Sequence, residues 1–257
     1  MILTVDIGNS VITIGGFDMD SITFVSRIST SCVKTADEYA VGISDVLKLY
    51  GVDKNKIDGA IVASVVPPLN TVIKEALHII LNKEPIFVGP GVKSGIVIQC
   101  DIPSSVGADL ITASVAAHYI YGSPCLIVDM DTVTKITYVN SKGAFAGTVI
   151  VPGVLMGLDA LTEKTAQLPK ISLEEPKSVI GKNTVDCMRS GAIYGNASMI
   201  DGMIDRICEE IGEELKVLAT GAMSSLITPK CKHDITFDEH LVLKGLNILY
   251  RKNKVNL

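Results

Sequence analysis

The turn Asp6-Ile7-Gly8-Asn9-Ser10 places a carboxylate, a glycine, an amide and a hydroxyl between two apolar, β-type runs. Gly8 has no Cβ, so a phosphate can approach the backbone N–H groups around it. Asn9 and Ser10 can donate hydrogen bonds to phosphate oxygens, whereas Asp6 would hold a cation or its water. The pattern predicts a phosphate-binding hairpin tip. An ordinary hairpin turn, which the same residue types favour, is the alternative.

This pattern occurs a second time, after another apolar strand. The matched segments are Val5-Asp6 with Val128-Asp129, Asn9 with Thr132, and Ile12-Thr13 with Ile136-Thr137. An internal repeat of this kind points to a duplicated architecture. It predicts two similar domains, 1-118 and 119-257, each presenting one hairpin tip to a ligand held in a cleft between them.

A third carboxylate, Asp109, follows Val106-Gly107-Ala108 at the start of a predicted helix. Ser104-Ser105 are the predicted cap, and the helix is expected to run to about Tyr121. The helix dipole keeps a carboxylate ionised at this position, which suits a base that acts on a closely held hydroxyl. The alternative is that aspartate is simply common in first helical turns.

The remaining pattern alternates strands with helices, which is typical of an α/β protein with largely parallel sheets. One helix opens with a capping box at Thr35 and Glu38. Another is predicted from a cap at Thr184 to about Ile211, and its small residues permit close packing in a core or a dimer interface. Ala219-Thr220-Gly221 predicts a strand that enters a glycine turn, either a contact for a nucleotide or merely a turn.

Composition narrows the function classes. The chain has 257 residues, 47% of them hydrophobic, and a net charge of −5, which argues against nucleic acid as the main partner. The sequence contains neither a run long enough to span a bilayer nor a signal peptide pattern, so no membrane partner is expected. Six cysteines without CxxC spacing are expected to be thiols in a reducing cytosol, and a zinc site is not expected.

From end to end, the chain resembles the type III pantothenate kinases of the actin-like ATPase superfamily. The matching motifs are Asp6–Ser10, Ser64-Val65-Val66-Pro67, Val106–Asp109, Val151-Pro152-Gly153, Gly181-Lys182-Asn183-Thr184, Ser190-Gly191, Ile200-Asp201-Gly202 and Ala219-Thr220-Gly221. Each motif is weak alone, but their order and spacing together are specific. The resemblance implies two duplicated actin-like ATPase, or ribonuclease H-like, domains.

The resemblance also implies a cytoplasmic homodimer that transfers the γ-phosphoryl group of ATP to the hydroxyl of pantothenate, the first step of coenzyme A synthesis. It implies Mg²⁺ and a monovalent cation, K⁺ or NH₄⁺, as cofactors, with Asp6 a ligand for Mg²⁺ and Asp129 for the monovalent cation. Asp109 would be the base. The implied ATP-binding residues are Asp6, Ile7, Gly8, Asn9, Ser10, Thr132 and Gly221. The implied pantothenate-binding residues are Gly107, Ala108, Asp109, Leu110 and, from the partner subunit, Thr184.

Departures from the family pattern fall within the implied site. Leu110 stands where the family has arginine, Cys100 where it has tyrosine, and Asp131 where it has glycine. A carboxylate about 4 Å from a phosphate costs roughly 4 kcal/mol at an effective dielectric near 20. One hypothesis is that an ion pair between Asp131 and Lys135 reduces this repulsion. The departures leave a second hypothesis beside the kinase, a paralogue that has lost or changed catalysis and acts as a binding or regulatory protein. A sugar kinase is a more distant third.

Overall fold

A computed structural model describes residues 1–254, and within them ten β-strands form two sheets of five. The strands are β1 (Ile2–Ile7), β2 (Val11–Asp18), β3 (Ser21–Ser29), β4 (Gly59–Ser64), β5 (Ile86–Phe87), β6 (Cys125–Met130), β7 (Val133–Val139), β8 (Phe145–Pro152), β9 (Lys216–Thr220) and β10 (Ile235–Phe237). The α-helices are α1 (Ala36–Leu49), α2 (Pro67–Leu81), α3 (Ala108–Ala116), α4 (Val154–Lys164), α5 (Thr184–Ser190), α6 (Asn196–Ile211), α7 (Ser224–Ile227) and α8 (Leu241–Lys254).

The chain divides into two compact units. Unit 1 is Met1–Tyr121 together with the segment from His240 onward, and unit 2 is Gly122–Glu239. The predicted division, 1-118 and 119-257, therefore differs in the last helix, and its final three residues lie outside the described part. α8 belongs to unit 1 because its leucines, among them Leu243 and Leu246, share a buried cluster with Ile2 and Ala108.

The two sheets have the same topology. Their strand orders are β3-β2-β1-β4-β5 and β8-β7-β6-β9-β10. In each, three antiparallel strands are followed by two that run parallel to the first. This identity confirms the prediction of a duplicated α/β architecture.

Strand pairing corrects the alignment of the repeat. Asp6 lies opposite Thr13 in the first hairpin, and Asp129 lies opposite Lys135 in the second. Thr13 is thus equivalent to Lys135 rather than to Thr137. The second hairpin is one residue shorter at its turn, a difference that sequence similarity alone did not resolve.

In unit 1, alternate residues of the sheet face two different buried clusters. Leu3, Val5 and Ile7 pack in the cluster that includes α1 and α2, whereas Ile2 packs in the cluster of α3 and α8. This period of two is what a strand buried on both faces requires. The predicted capping box of α1 is present, with Thr35 and Glu38 bonded reciprocally.

Two predicted helix starts are corrected. The N-cap of α3 is Gly107, since Pro103–Ser105 form a separate 3₁₀ turn. The N-cap of α5 is Asn183, whose side chain accepts the Asp186 N–H, so Thr184 is the first helical residue. A π-helical turn, Gly191–Gly195, joins α5 to α6, which ends at Ile211 as predicted.

Candidate active site

The β1–β2 turn is held by hydrogen bonds to its own strand and to the end of β3. The Gly8 N–H donates to Val11 O at 3.0 Å, and the Thr30 hydroxyl donates to Gly8 O at 2.7 Å. Asn9 and Ser10 are exposed. Their polar groups therefore lie at the surface of unit 1, and phosphate binding at this turn stays a prediction. The supporting role of Thr30, one residue beyond β3, carried no recognisable sequence signal.

Asp109 lies next to the carboxyl ends of β1 and β4. Val65, just after β4, donates its N–H to Ile7 O at 3.0 Å. A Cβ built on Gly107 would stand 3.8 Å from the Val65 side chain and 2.4 Å from Asp109 Oδ1. The first turn of α3 therefore brings the Asp109 carboxylate to the edge of the sheet that carries the β1–β2 turn.

The residues on either side of Asp109 in the sequence are largely buried. Ala108 and Leu110 are only 8% and 9% exposed. The Leu110 N–H donates to Asp109 Oδ1 at 2.8 Å. Leu110 therefore contributes an apolar, largely buried side chain where the family pattern has arginine, and Cys100 is half-buried.

In unit 2, the turn after β9 packs on the β6–β7 turn. Gly221 has a φ of +92°, and a Cβ there would lie 2.6 Å from Met130 O. The Met223 N–H donates to Met130 O at 3.0 Å, and the Ala222 N–H donates to Asp131 Oδ1 at 2.8 Å. Only glycine combines this left-handed backbone with this close approach.

A second glycine approaches the β6–β7 turn from α4. Gly153 is the N-cap of α4, and a Cβ there would lie 2.3 Å from Thr132 O and 2.6 Å from Asp131 O. Three segments thus meet where β6 and β9 end, and they bring together Thr132 and Gly221, two of the predicted ATP-binding residues. Asp131 and Thr132 are exposed there.

Asp129 forms a largely buried ion pair. Lys135 Nζ lies 2.7 Å from Asp129 Oδ2, and the two side chains are 12% and 9% exposed. The hypothesis that Lys135 pairs with Asp131 is corrected, because Lys135 is the residue directly across the ladder from Asp129. The ammonium group contacts Oδ2, whereas Asp129 Oδ1 is buried and accepts no hydrogen bond among the described residues. The implied role of Asp129 as a monovalent cation ligand stays a prediction.

An apolar cavity of about 710 Å³ lies within unit 2, between α4 and the start of α5. Exposed Thr184 is on its wall. The lining residues are Val154, Gly157, Leu158, Leu161, Leu168, Gly181, Lys182, Asn183, Thr184, Cys187, Met188, Gly191, Ala192 and Asn196. Its wall is mainly aliphatic, with the polar residues Lys182, Asn183 and Thr184 at the start of α5 and Asn196 at the start of α6.

Comparison with known proteins identifies the family. The family model for type III pantothenate kinase matches residues 2–206. The chain belongs to this family. It is 38% identical over 254 residues to the type III pantothenate kinase of Geotalea daltonii, with 99% of both chains covered. It is 40% identical over 253 residues to that of Geobacillus sp. strain WCH70, with 98% of both chains covered.

A solved structure shares the fold of this chain. Component A of the (R)-2-hydroxyglutaryl-CoA dehydratase of Acidaminococcus fermentans matches with a TM-score of 0.60 and 13% identity, covering 100% of this chain and 99% of that one. At this identity the match concerns the fold alone. The predicted fold class, two duplicated actin-like ATPase domains, is confirmed. In residues 1–254 of this pantothenate kinase family member, no helix is both long and apolar enough to cross a membrane.

Proposed function

We propose that the protein transfers the γ-phosphoryl group of ATP to the hydroxyl of pantothenate, giving 4'-phosphopantothenate for coenzyme A synthesis. The observation that carries this proposal is full-length similarity to curated pantothenate kinases, at 38–40% identity. Similarity confined to the fold would not distinguish this activity from that of other actin-like ATPases.

The two hairpin turns support ATP binding. Phosphoryl transfer depends mainly on positioning and on neutralising phosphate charge. The β1–β2 turn offers Asn9 and Ser10 as donors, and the unit 2 turns offer Thr132 beside the glycine backbone at Gly221. Asp6 would hold Mg²⁺, since this ion is usually bound by one or two carboxylates with substrate phosphates and waters as the remaining ligands.

Asp109 is the proposed base for the pantothenate hydroxyl. It is the second residue of α3, and it lies at the sheet edge that carries the β1–β2 turn. Gly107 leaves room for the carboxylate in this position, because a Cβ there would lie 2.4 Å from Asp109 Oδ1. Gly107, Ala108 and Leu110 would contact the substrate mainly through backbone.

A homodimer, with Thr184 reaching pantothenate bound to the partner subunit, is the proposed assembly. Apolar side chains are exposed beside the cavity, among them Leu155, Met156 and Leu161 on α4. Clusters of this kind on a surface often mark an interface. The cytoplasm is the proposed location, which is supported by six free thiols in the described chain.

The direct test is to incubate the purified protein with ATP, Mg²⁺ and pantothenate, in K⁺ or NH₄⁺ buffer, and to follow phosphopantothenate by mass spectrometry. Asp109→Asn removes the base without changing side-chain size and should lower turnover at least about a hundredfold. Asp37→Asn is the matched control, because Asp37 is the second residue of α1 and is exposed.

Product that depends on Asp109 and not on Asp37 would establish the kinase. Equal turnover in wild type and Asp109→Asn would refute Asp109 as the base. Absence of product from a folded protein would favour the paralogue without kinase activity.

A further inference from the structure

The carboxylates at equivalent positions of the two hairpins face different partners. Each is the second-last residue of its strand, Asp6 in β1 and Asp129 in β6. Across the ladder, Asp6 faces the hydroxyl residue Thr13, whereas Asp129 faces Lys135. The duplicated architecture therefore provides its own comparison, in which the residue across the ladder is a hydroxyl in one hairpin and an ammonium in the other.

The contact between Lys135 and Asp129 is short and protected from water. Nζ and Oδ2 are 2.7 Å apart, the length of a charge-assisted hydrogen bond, and neither side chain is more than 12% exposed. By contrast, the ion pair of Lys48 with Asp45 has side chains that are 78% and 64% exposed. Burial weakens screening by solvent and salt, so the Lys135 charge acts strongly on its surroundings.

A second monovalent cation at this carboxylate would meet strong repulsion. Two positive charges about 4 Å apart at an effective dielectric near 20 lower affinity about a thousandfold. Asp129 also supplies the negative charge that would attract such an ion, and Lys135 already neutralises it. Asp129 Oδ1, which is buried and accepts no hydrogen bond within the described part of the chain, could still ligate an ion. The neutral pair nevertheless gives a monovalent cation no net attraction, so the implied cofactor and the charge of the site are in disagreement.

We infer that the Lys135 ammonium group takes the place of a bound monovalent cation at Asp129, so that nucleotide binding and turnover need neither K⁺ nor NH₄⁺. The group is fixed by the β6–β7 ladder, six residues after Asp129 and three after Thr132. It supplies one positive charge close to the turn proposed to hold the ATP phosphates. Lys135 is thus a positioning residue for that turn, and this inference rests on the proposed function.

The test compares salts at equal ionic strength: potassium, ammonium, sodium and tetramethylammonium chloride. Wild type should bind a non-hydrolysable ATP analogue with the same affinity, within about twofold, in all four, and should form phosphopantothenate at similar rates. Lys135→Ala removes the ammonium and leaves space for an ion. It should lose at least tenfold in nucleotide affinity in tetramethylammonium and recover most of this in potassium or ammonium.

The thermal unfolding midpoint without nucleotide provides a readout that does not depend on activity. Potassium and ammonium should raise the midpoint of Lys135→Ala above its value in tetramethylammonium, and should leave wild type unchanged. Lys230→Ala is the control, because Lys230 is another ion-paired lysine of unit 2, with Glu175 as its partner. It should behave like wild type in every salt. A loss caused only by a broken structural pair would not depend on which cation is present.

A wild type that needs potassium or ammonium for tenfold tighter nucleotide binding would overturn the inference, as would a Lys135→Ala variant that responds to these ions no more than wild type. If Lys135→Ala does not fold in tetramethylammonium, refolding in potassium would support the inference. If it folds in none of the salts, the wild-type comparison decides alone. Absence of product in all salts would refute the proposed kinase, whereas nucleotide affinity and the thermal midpoint would still measure cation dependence.

Discussion

The β1–β2 and β6–β7 hairpins share strand order and the position of one aspartate, but their turns are stabilised differently. The β1–β2 turn is one residue longer, and Thr30 bonds it from beyond β3. The β6–β7 turn is shorter, is packed by Gly153 and Gly221, and is tied to Ala222 through Asp131. The repeat therefore retains the geometry of the strand end, while the charge around it has diverged.

This comparison separates what duplication preserves from what single residues change. Backbone pairing fixes where Asp6 and Asp129 lie, because each is second-last in the central strand of its sheet. The residue across the ladder then differs, a hydroxyl residue at Thr13 and a lysine at Lys135. Equivalent positions in a repeat should therefore not be given equivalent roles before their cross-strand neighbours are known.

The largest expected effect is on the free energy of unfolding. It comes from replacing Lys135 by threonine, which gives the second hairpin the cross-strand Asp–Thr pair of the first. Lys135→Thr leaves the buried Asp129 carboxylate without its ammonium, and the free energy of unfolding should fall by about 3–5 kcal/mol in potassium-free buffer. Urea unfolding measures the change. Thr13→Ala, at the equivalent position, should cost less than about 1 kcal/mol.

The double variant Lys135→Thr with Asp129→Asn should recover part of the lost stability, because no buried charge remains. A loss below about 1 kcal/mol in Lys135→Thr would contradict the buried pair as described.

The sequence was sufficient for the duplicated fold, because apolar periodicity, the capping box at Thr35 and the repeated Asp motif agree with one another. It could not assign α8 to unit 1. The apolar face of a terminal helix shows that the helix packs on a sheet, but not which of the two sheets it packs on. It also misaligned the second hairpin, since one residue at the turn shifts every later pair.

In the site, the sequence found the turns and the glycines but not the partner of Lys135. Lys135 is four residues from Asp131 and six from Asp129, and only the observed pairing places it opposite Asp129. The orientation of Asp131 was equally inaccessible, because its acceptor role toward Ala222 joins residues 91 positions apart. Contacts between distant turns depend on tertiary packing, which local patterns do not encode.

The second expected effect tests the glycines of the two turns. Gly221→Ala combines a φ of +92° with a Cβ 2.6 Å from Met130 O, and it should cost roughly 2–4 kcal/mol of unfolding free energy and weaken nucleotide binding. Gly8→Ala meets only Val11 O, at 3.0 Å, and should cost about 1 kcal/mol.

Both glycine variants are measured by urea unfolding and by calorimetric titration with an ATP analogue. Equal losses for the two would show that the β6–β7 turn is not more tightly packed than the β1–β2 turn.

The third expected effect concerns nucleotide affinity and Asp131. The equivalent residue of the first hairpin is Gly8, which carries no charge. Asp131→Asn keeps an acceptor for the Ala222 N–H but removes a charge beside the proposed phosphate site. Since Asp131 is exposed, the gain is near 1 kcal/mol, so ATP analogue affinity should rise about fivefold at low salt.

The gain should shrink at high salt, because ions screen exposed charges. Asp159→Asn, an exposed carboxylate on α4 of the same unit, is the control and should leave affinity unchanged. An Asp131→Asn variant that binds more weakly than wild type would mean that the carboxylate assists nucleotide binding.

The smallest expected effect is on the pH dependence of stability. It arises because the first residue of the central strand is Ile2 in β1, which does not ionise, but Cys125 in β6, which does. Burial raises the pKa of the Cys125 thiol to about 11, although nearby Lys216 acts to lower it. A raised pKa means that the folded state favours the protonated thiol, so this contribution is complete below the unfolded pKa, near 9, and is lost as pH rises toward 11. From pH 8 to pH 9.5, Cys125→Val should therefore lose roughly 0.8 kcal/mol less stability than wild type in reducing urea titrations. Cys32→Ser, at an exposed thiol, should follow the wild-type pH dependence. Parallel pH dependence in Cys125→Val and wild type would show that Cys125 ionises as readily in the folded chain as in the unfolded one, and β6 would then be open to water at a position where β1 is closed.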